Sequence, residues 1–240
     1  LIETLSVGAS TMGFETAVES FPERTYGLDE VGVKPVARIT LTPAAEPQPD
    51  ELSDYLYARQ TNRRPSHAGA PVSDQQFADI AKCVRESDVQ VIGINDRARM
   101  EPLLAIFDRA MTIECQTRHL WREWYLKHGD PRRWFSKPNI NGFLKGFRAG
   151  LASAEGLLFL KTATNTQEDW IKAGRAYVRA SLAAARLGLQ MHPYSQVLQE
   201  FPEMTELQRQ FNDLIGVVGE EKIALGLRQI RAEKQSVAAA

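Results

Sequence analysis

Arg59, Thr61 and Arg63 occupy alternate positions in the stretch ARQTNRRPS (residues 58–66), and Arg64 follows directly. In an extended segment, alternate side chains leave the backbone on one side, so two guanidinium forks and a hydroxyl would face the same way. That donor set suits a phosphate, whose oxyanions accept paired, charge-assisted hydrogen bonds. Cations this close repel one another unless an anion lies between them. The stretch is therefore half of an anion clamp or a solvated turn. A further cation, Arg228, interrupts the apolar run IALGLRQI (223–230), and a buried arginine requires an anion. A protein carboxylate meets that need as well as a phosphate does.

A second concentration of chemistry spans His119 to Arg148. Trp121, Trp124, Tyr125, Trp134 and Phe135 stand among Arg118, Arg122, Lys127, Arg132, Arg133, Lys137, Lys145 and Arg148, with Glu123 and Asp130 in opposition. Such interleaving serves stacking on single-stranded RNA, a lid over a site, or an amphipathic surface; without an RNA-binding signature the lid or surface is preferred. His67, His119, His128 and His192 are scattered, and none stands at metal-ligand spacing. No GxSxG elbow presents a nucleophile, so no catalytic side chain and no metal site is assigned.

Composition narrows the classes. The 240 residues are 43% hydrophobic, and 29 Lys plus Arg nearly balance 30 Asp plus Glu. The chain can bury a core, and it carries no global field toward nucleic acid or an anionic membrane. No apolar run approaches the roughly 20 residues of a membrane span. Cys83 and Cys115, far apart and outside any CxxC, suit a reducing cytoplasm.

The elements that must position these residues follow from periodicity and punctuation. Leu1, Leu5, Gly8, Met12 and Val18 predict a helix over residues 1–19, with an exit at Pro22; VKPVARITL (33–41) predicts a strand. TPAAEPQPDE, with three prolines, reads as a linker. Ser73 with Gln76 forms a capping-box pattern opening a helix to about Arg85. VQVIGIN (89–95) is a strand, 97–127 one or two helices, and 128–143 a long Gly/Pro/Asn-punctuated loop. EGLLFLKT (155–162) is a buried-type strand. Thr166 and Asp169 cap a long helix that ends at Gly188. Its Gly174, Ala176, Ala180, Ser181, Ala184 and Ala185 allow another backbone or a planar ligand to approach. A helix over 203–213 and an alternating strand over 221–230 complete the chain. Without a βαβ rhythm or a GxGxxG after a strand, an α+β layered domain is predicted rather than a Rossmann fold.

RQTNRRPSHAGAPVSDQQFADI resembles the opening of the flavin-dependent nitroreductase family, R-x-S-x-R and then P-V-S with an amphipathic helix; Thr61 replaces the usual Ser and Pro65 a common aromatic. WIKAGRAYVRASLAAARLGLQMHPYSQ resembles that family's central helix and the turn beyond it. IALGLRQI resembles its closing strand with a phosphate-binding Arg, although Gly226 falls where some relatives place Lys. The resemblance implies a nitroreductase-like layered fold, with a mixed or antiparallel sheet flanked by helices and a long central helix. It also implies FMN, its phosphate held by Arg59, Thr61, Arg63 and Arg228 and the backbone of Pro193, Tyr194, Ser195 and Gln196 facing the reactive edge of the ring. The activity implied is hydride transfer from NAD(P)H through flavin to a nitroaromatic or quinone. A flavin-sequestering protein without turnover is the alternative, and a nucleic-acid-binding module a third. Residues 1–45 resemble the end of a preceding nitroreductase-type half, as in the branch with two fused halves. Residues 46–58 then read as linker and short helix, 59–233 as the nitroreductase-like half-domain and 234–240 as a disordered tail. The assembly implied is a homodimer or internal pseudo-dimer.

Overall fold

The computed structural model describes residues 1–30, 32–65, 69–117 and 140–231. The aromatic-basic segment expected as a lid falls for the most part on 118–139, outside the described residues. The fold is α+β, with six α-helices and two antiparallel sheets among the described residues.

Its centre is a four-stranded sheet of β3 (Val89–Ile94), β4 (Gly156–Thr162), β6 (Lys222–Arg231) and β5 (Leu189–Pro193), hydrogen-bonded in that order. β4 is apolar on both faces because both are covered. Leu158 and Leu160 join the core beneath α2 (Asp74–Cys83) and α5 (Gln167–Arg186), whereas Leu157 and Phe159 join the core beneath α3 (Arg97–Gln116) and α6 (Thr205–Ile215). α4 (Ile140–Ala152) packs on α3. The result is helix, sheet, helix, in three layers.

The capping residues stand where their spacing predicts. Ser73 accepts from the Gln76 amide while the Gln76 side chain accepts from the Ser73 amide; Thr166 and Asp169 do the same for α5. Three expectations are corrected. The predicted helix over 1–19 stops at Thr11, because Gly13 takes a left-handed φ of +79° and FETAVES then alternates in exposure as β1 (Phe14–Ser20). β5 is absent from the sequence prediction, because five residues ending in Pro193 are too short to show a period. Ile140–Phe143, read as loop, form the first turn of α4.

α1 (Ile2–Thr11), Gly13, β1 and β2 (Ala37–Pro43) repeat the order of α5, Gly188, β5 and β6. In both cases a helix ends at a left-handed glycine, φ +79° and +69°, and the next strand pairs antiparallel with a later one. α1 packs against α5, placing Val7 in the same core as Ala176 and Ala180. The proline-rich stretch after β2 is bound at its end: Asp50 accepts from Arg179, and Leu52 is fully buried.

Candidate functional site

Asn62 fixes the cationic segment to the sheet. Its amide donates to the Met191 carbonyl at 3.2 Å, its side-chain amide donates to Gln190 Oε1 at 2.8 Å, and Thr61 forms a parallel bridge with Met191. Residues 59–63 therefore run along the outer edge of β5, and Arg59 is tied back through its amide to the Tyr55 carbonyl at 3.0 Å. β6 lies on the other side of β5, with Arg228 in register opposite His192, one position along from Met191. Thr61 and Arg228 are thus separated by two inter-strand spacings, roughly 10 Å between backbones, although 167 positions separate them in the chain.

The cations differ in their surroundings. Arg175, Arg179 and Arg186 on α5 all pair with carboxylates. Arg59 and Arg63 form no ion pair among the described residues; Arg59 is half-buried, and Thr61 and Arg63 are exposed. Repulsion between two such charges is left to solvent or to an anion. A small cavity of about 40 Å³ lies between Arg59–Thr61 and the Tyr177, Ser181 and Ala185 side of α5. The small residues of α5 let the segment approach there, while Ala176, Ala180, Ala183 and Ala184 are buried in the core shared with α1 and α2.

β5 ends at Pro193. Tyr194 is buried against Phe107 and Phe147, Ser195 is exposed, and Gln196 opens a 3₁₀ turn to Leu198. The first amides of such a turn have no partner within it, so Ser195 and Gln196 present donors next to β6. The structure thus brings the clamp segment, Pro193–Gln196 and the Arg228 backbone around one short strand.

Sequence reasoning missed the groups that hold α5. Arg179, 1% exposed, donates to Glu3 at 3.0 Å and Asp50 at 2.9 Å and to the Cys83 carbonyl; Arg175 pairs with Glu3 at 2.9 Å and Glu86 at 3.3 Å. The arginines at i and i+4 among alanines were the available signal. Burial alone would raise the Asp50 carboxyl, but Arg179, the Leu52 amide and Arg85 hold it below the usual carboxylate range. Burial pushes Glu86 up, partly offset by Arg175. Glu114 on α3 is also pushed up by burial, partly offset by a Gln199 hydrogen bond. Burial raises Cys115 to about 11, and both cysteines are free thiols.

No family model matches the sequence, and no curated protein matches it. Among solved structures, the chain is similar to a nitroreductase with bound FMN from Bacteroides fragilis, at 14% identity and TM-score 0.51 over 80% of this chain and 93% of that one. It is similar to oxidised iodotyrosine deiodinase bound to FMN and 3-iodo-L-tyrosine, at 14% identity and TM-score 0.52 over 76% and 90%. A third is an FMN- and NADPH-dependent nitroreductase mutant from sphigopyxis sp. strain HMH, at 16% identity and TM-score 0.50 over 77% and 89%. At such identities the likeness is one of architecture: this chain has the nitroreductase fold. Among the described residues, no helix is long and apolar enough to cross a membrane.

Proposed function

We propose that the protein is an FMN-dependent oxidoreductase that passes hydride from NAD(P)H to an electron-poor acceptor such as a nitroaromatic or quinone. The observation that carries this function is the pair Arg59 and Arg63, uncompensated by carboxylates among the described residues and laid along β5 by the Thr61–Met191 bridge. Two guanidinium groups and a hydroxyl fit a phosphate monoester, which carries about two negative charges at neutral pH. The three solved relatives above bind FMN or depend on it, by their own descriptions.

Arg59, Thr61 and Arg63 hold the phosphate, and Arg228 approaches it from β6. The amides of Ser195 and Gln196, with the backbone of Pro193 and Tyr194, meet the ring edge. Flavin, when bound, supplies the hydride chemistry, while the chain's residues bind, orient and tune it. Residues 1–45 belong to a second unit of the same kind, supported by the repeated helix, left-handed glycine and antiparallel strand pair. Two such units, in one polypeptide or in two copies, complete the assembly, and cytoplasmic location accords with the two free thiols.

The test is the visible spectrum of the full-length protein, purified and soaked in FMN, followed by anaerobic NADPH. Oxidised-flavin bands that NADPH bleaches support the enzyme. Bands that persist mean a flavin store without turnover, and a colourless protein that takes up no FMN removes both.

A further inference from the structure

The core-facing stripe of α3, Leu103, Phe107 and Ala110, runs on into an acid. Glu114 follows Ala110 by four positions and so shares its helix face, where α3 packs on the 3₁₀ turn Gln196–Leu198. Its carboxyl accepts from the side-chain amide of Gln199, the residue that closes that turn. Two oxygens are left over, Glu114 Oε2 and Gln199 Oε1. Both are buried, and neither has a hydrogen-bond partner among the described residues. Two acceptors cannot satisfy each other, and a buried oxygen without a donor destabilises the fold. A carboxylic acid and a primary amide, by contrast, form a ring of two hydrogen bonds: amide N–H to the acid's carbonyl oxygen, and acid O–H to the amide oxygen. One proton supplies the missing donor and takes up no further space.

We infer that Glu114 holds a proton on Oε2 and donates it to Gln199 Oε1, and that this closed acid–amide pair positions the turn carrying Ser195 and Gln196. Gln199 is the link. Its N–H donates to the Gln196 carbonyl at 3.2 Å, and its carbonyl accepts from Gln208 Nε2 on α6 at 2.8 Å. Leu198 N–H donates to the Ser195 carbonyl at 3.0 Å. A fixed Gln199 therefore keeps the amides of Ser195 and Gln196 aimed at the ring edge assigned above; in that respect the inference rests on the proposed function and makes Glu114 a positioning residue. The charged and titratable groups that α4, the turns and α6 bring to this part of α3 are Lys145, Arg148, His192, Tyr194, Glu200, Glu203, Glu206 and Arg209, with Asp108, Arg109 and Cys115 on α3 itself. None forms an ion pair with Glu114 among the described residues: Arg148 is held by Asp108, and Arg209 by Glu206 and Asp213. Burial raises the Glu114 carboxyl, so the pair is fully formed below the ordinary carboxylate value. It is lost as pH rises through the folded value, when the proton passes to solvent and the two oxygens repel.

The test is amide hydrogen exchange on the full-length protein without FMN, between pH 5 and pH 9, on wild type and Glu114→Gln. Protection of the Leu198 and Gln199 amides, relative to an unstructured chain at the same pH, should fall about tenfold in wild type as pH rises, the worth of one hydrogen bond. A glutamine at this position offers a permanent N–H in place of the acid's O–H, so Glu114→Gln should keep the low-pH protection throughout. Wild-type protection that does not change with pH overturns the inference, as does a decline that persists in Glu114→Gln or a loss in that variant equal at every pH. The carbon-13 shift of the Glu114 carboxyl gives a reading without mutation: it should move together with the protection, and a carboxyl already ionised at pH 5 overturns the inference. FMN affinity, measured separately, should weaken about tenfold over the same range in wild type alone; an affinity that ignores the change in protection overturns the positioning role. Protection that depends on pH in a protein that takes up no FMN refutes the flavin assignment and leaves the acid–amide pair standing. FMN uptake with protection independent of pH does the reverse.

Discussion

Arg179 and Asp50 meet at 2.9 Å inside the protein across 129 positions of sequence. With Glu3 at 3.0 Å from the same guanidinium nitrogen, they fasten α1 and the proline-rich stretch to α5. Removing one member of a buried ion pair leaves its partners charged and desolvated. Arg179→Leu should therefore lower stability by about 3–5 kcal/mol, read from urea unfolding. Asp50 contributes with the sign of a carboxyl whose folded pKa is depressed: its stabilisation is present at neutral pH and lost as pH falls below the ordinary carboxylate value. Asp50→Asn should flatten the acid limb of the stability profile. An unchanged limb would show that Asp50 gains nothing from the pairing.

The clamp residues carry separable predictions. Arg59→Ala should weaken FMN retention by about 1.5–3 kcal/mol, the usual value of a hydrogen bond to a charged group, with the fold intact by circular dichroism. Arg228→Ala should do the same. Because Arg228 stands one register position away from the Thr61–Met191 line, a normal FMN affinity in that mutant alone would remove it from the phosphate site while leaving Arg59 and Arg63 in place.

Glu114 has the opposite pH signature to Asp50. Its carboxyl is raised by burial, and its Oε2 has no hydrogen-bond partner among the described residues. A carboxyl with a raised folded pKa stabilises fully below its unfolded value, and that contribution is lost as pH rises through the folded value. Glu114→Gln should match wild type near pH 4 and exceed it at pH 7. Denaturant titrations at the two pH values decide the matter; equal stability at pH 7 would mean that the carboxylate is already compensated.

Gly93 on β3 lies under the Phe77 ring: a Cβ there would fall 2.3 Å from the ring carbon. Gly93→Ala should cost about 1–3 kcal/mol by overpacking, and the smaller side chain of Phe77→Leu should partly restore a Gly93→Ala protein. A Gly93→Ala protein as stable as wild type would mean that α2 shifts freely.

Features set by neighbours in sequence were legible before the fold was known. Ser73 with Gln76 and Thr166 with Asp169 announce their helices because a capping box closes within four residues. The alternation of Arg59, Thr61 and Arg63 was readable too. Its attachment to Met191 was not, since nothing local records which strand an extended segment will join. Nothing local separates β1 from the helix before it, since Val18 is too isolated to set a period of its own, and it is the left-handed Gly13 that breaks the helix. The partners of Arg179 were out of reach for the same reason: Glu3 and Asp50 are remote in sequence, and a small-residue helix face does not say which acids will meet its arginines.

β6 forms the inner rung between β4 and β5, yet it is the last described strand in the chain. On the ribosome, β3 and β4 emerge as an antiparallel pair separated in sequence by α3 and α4, and β5 as a lone ribbon with nothing to join it to them. The three-layer packing around the sheet therefore waits for residues 222–231 to clear the exit tunnel, and until then the long helix α5 covers a half-built floor. Nascent chains stalled before β6 should be open to protease and chaperone, and folding should finish in one late, cooperative step.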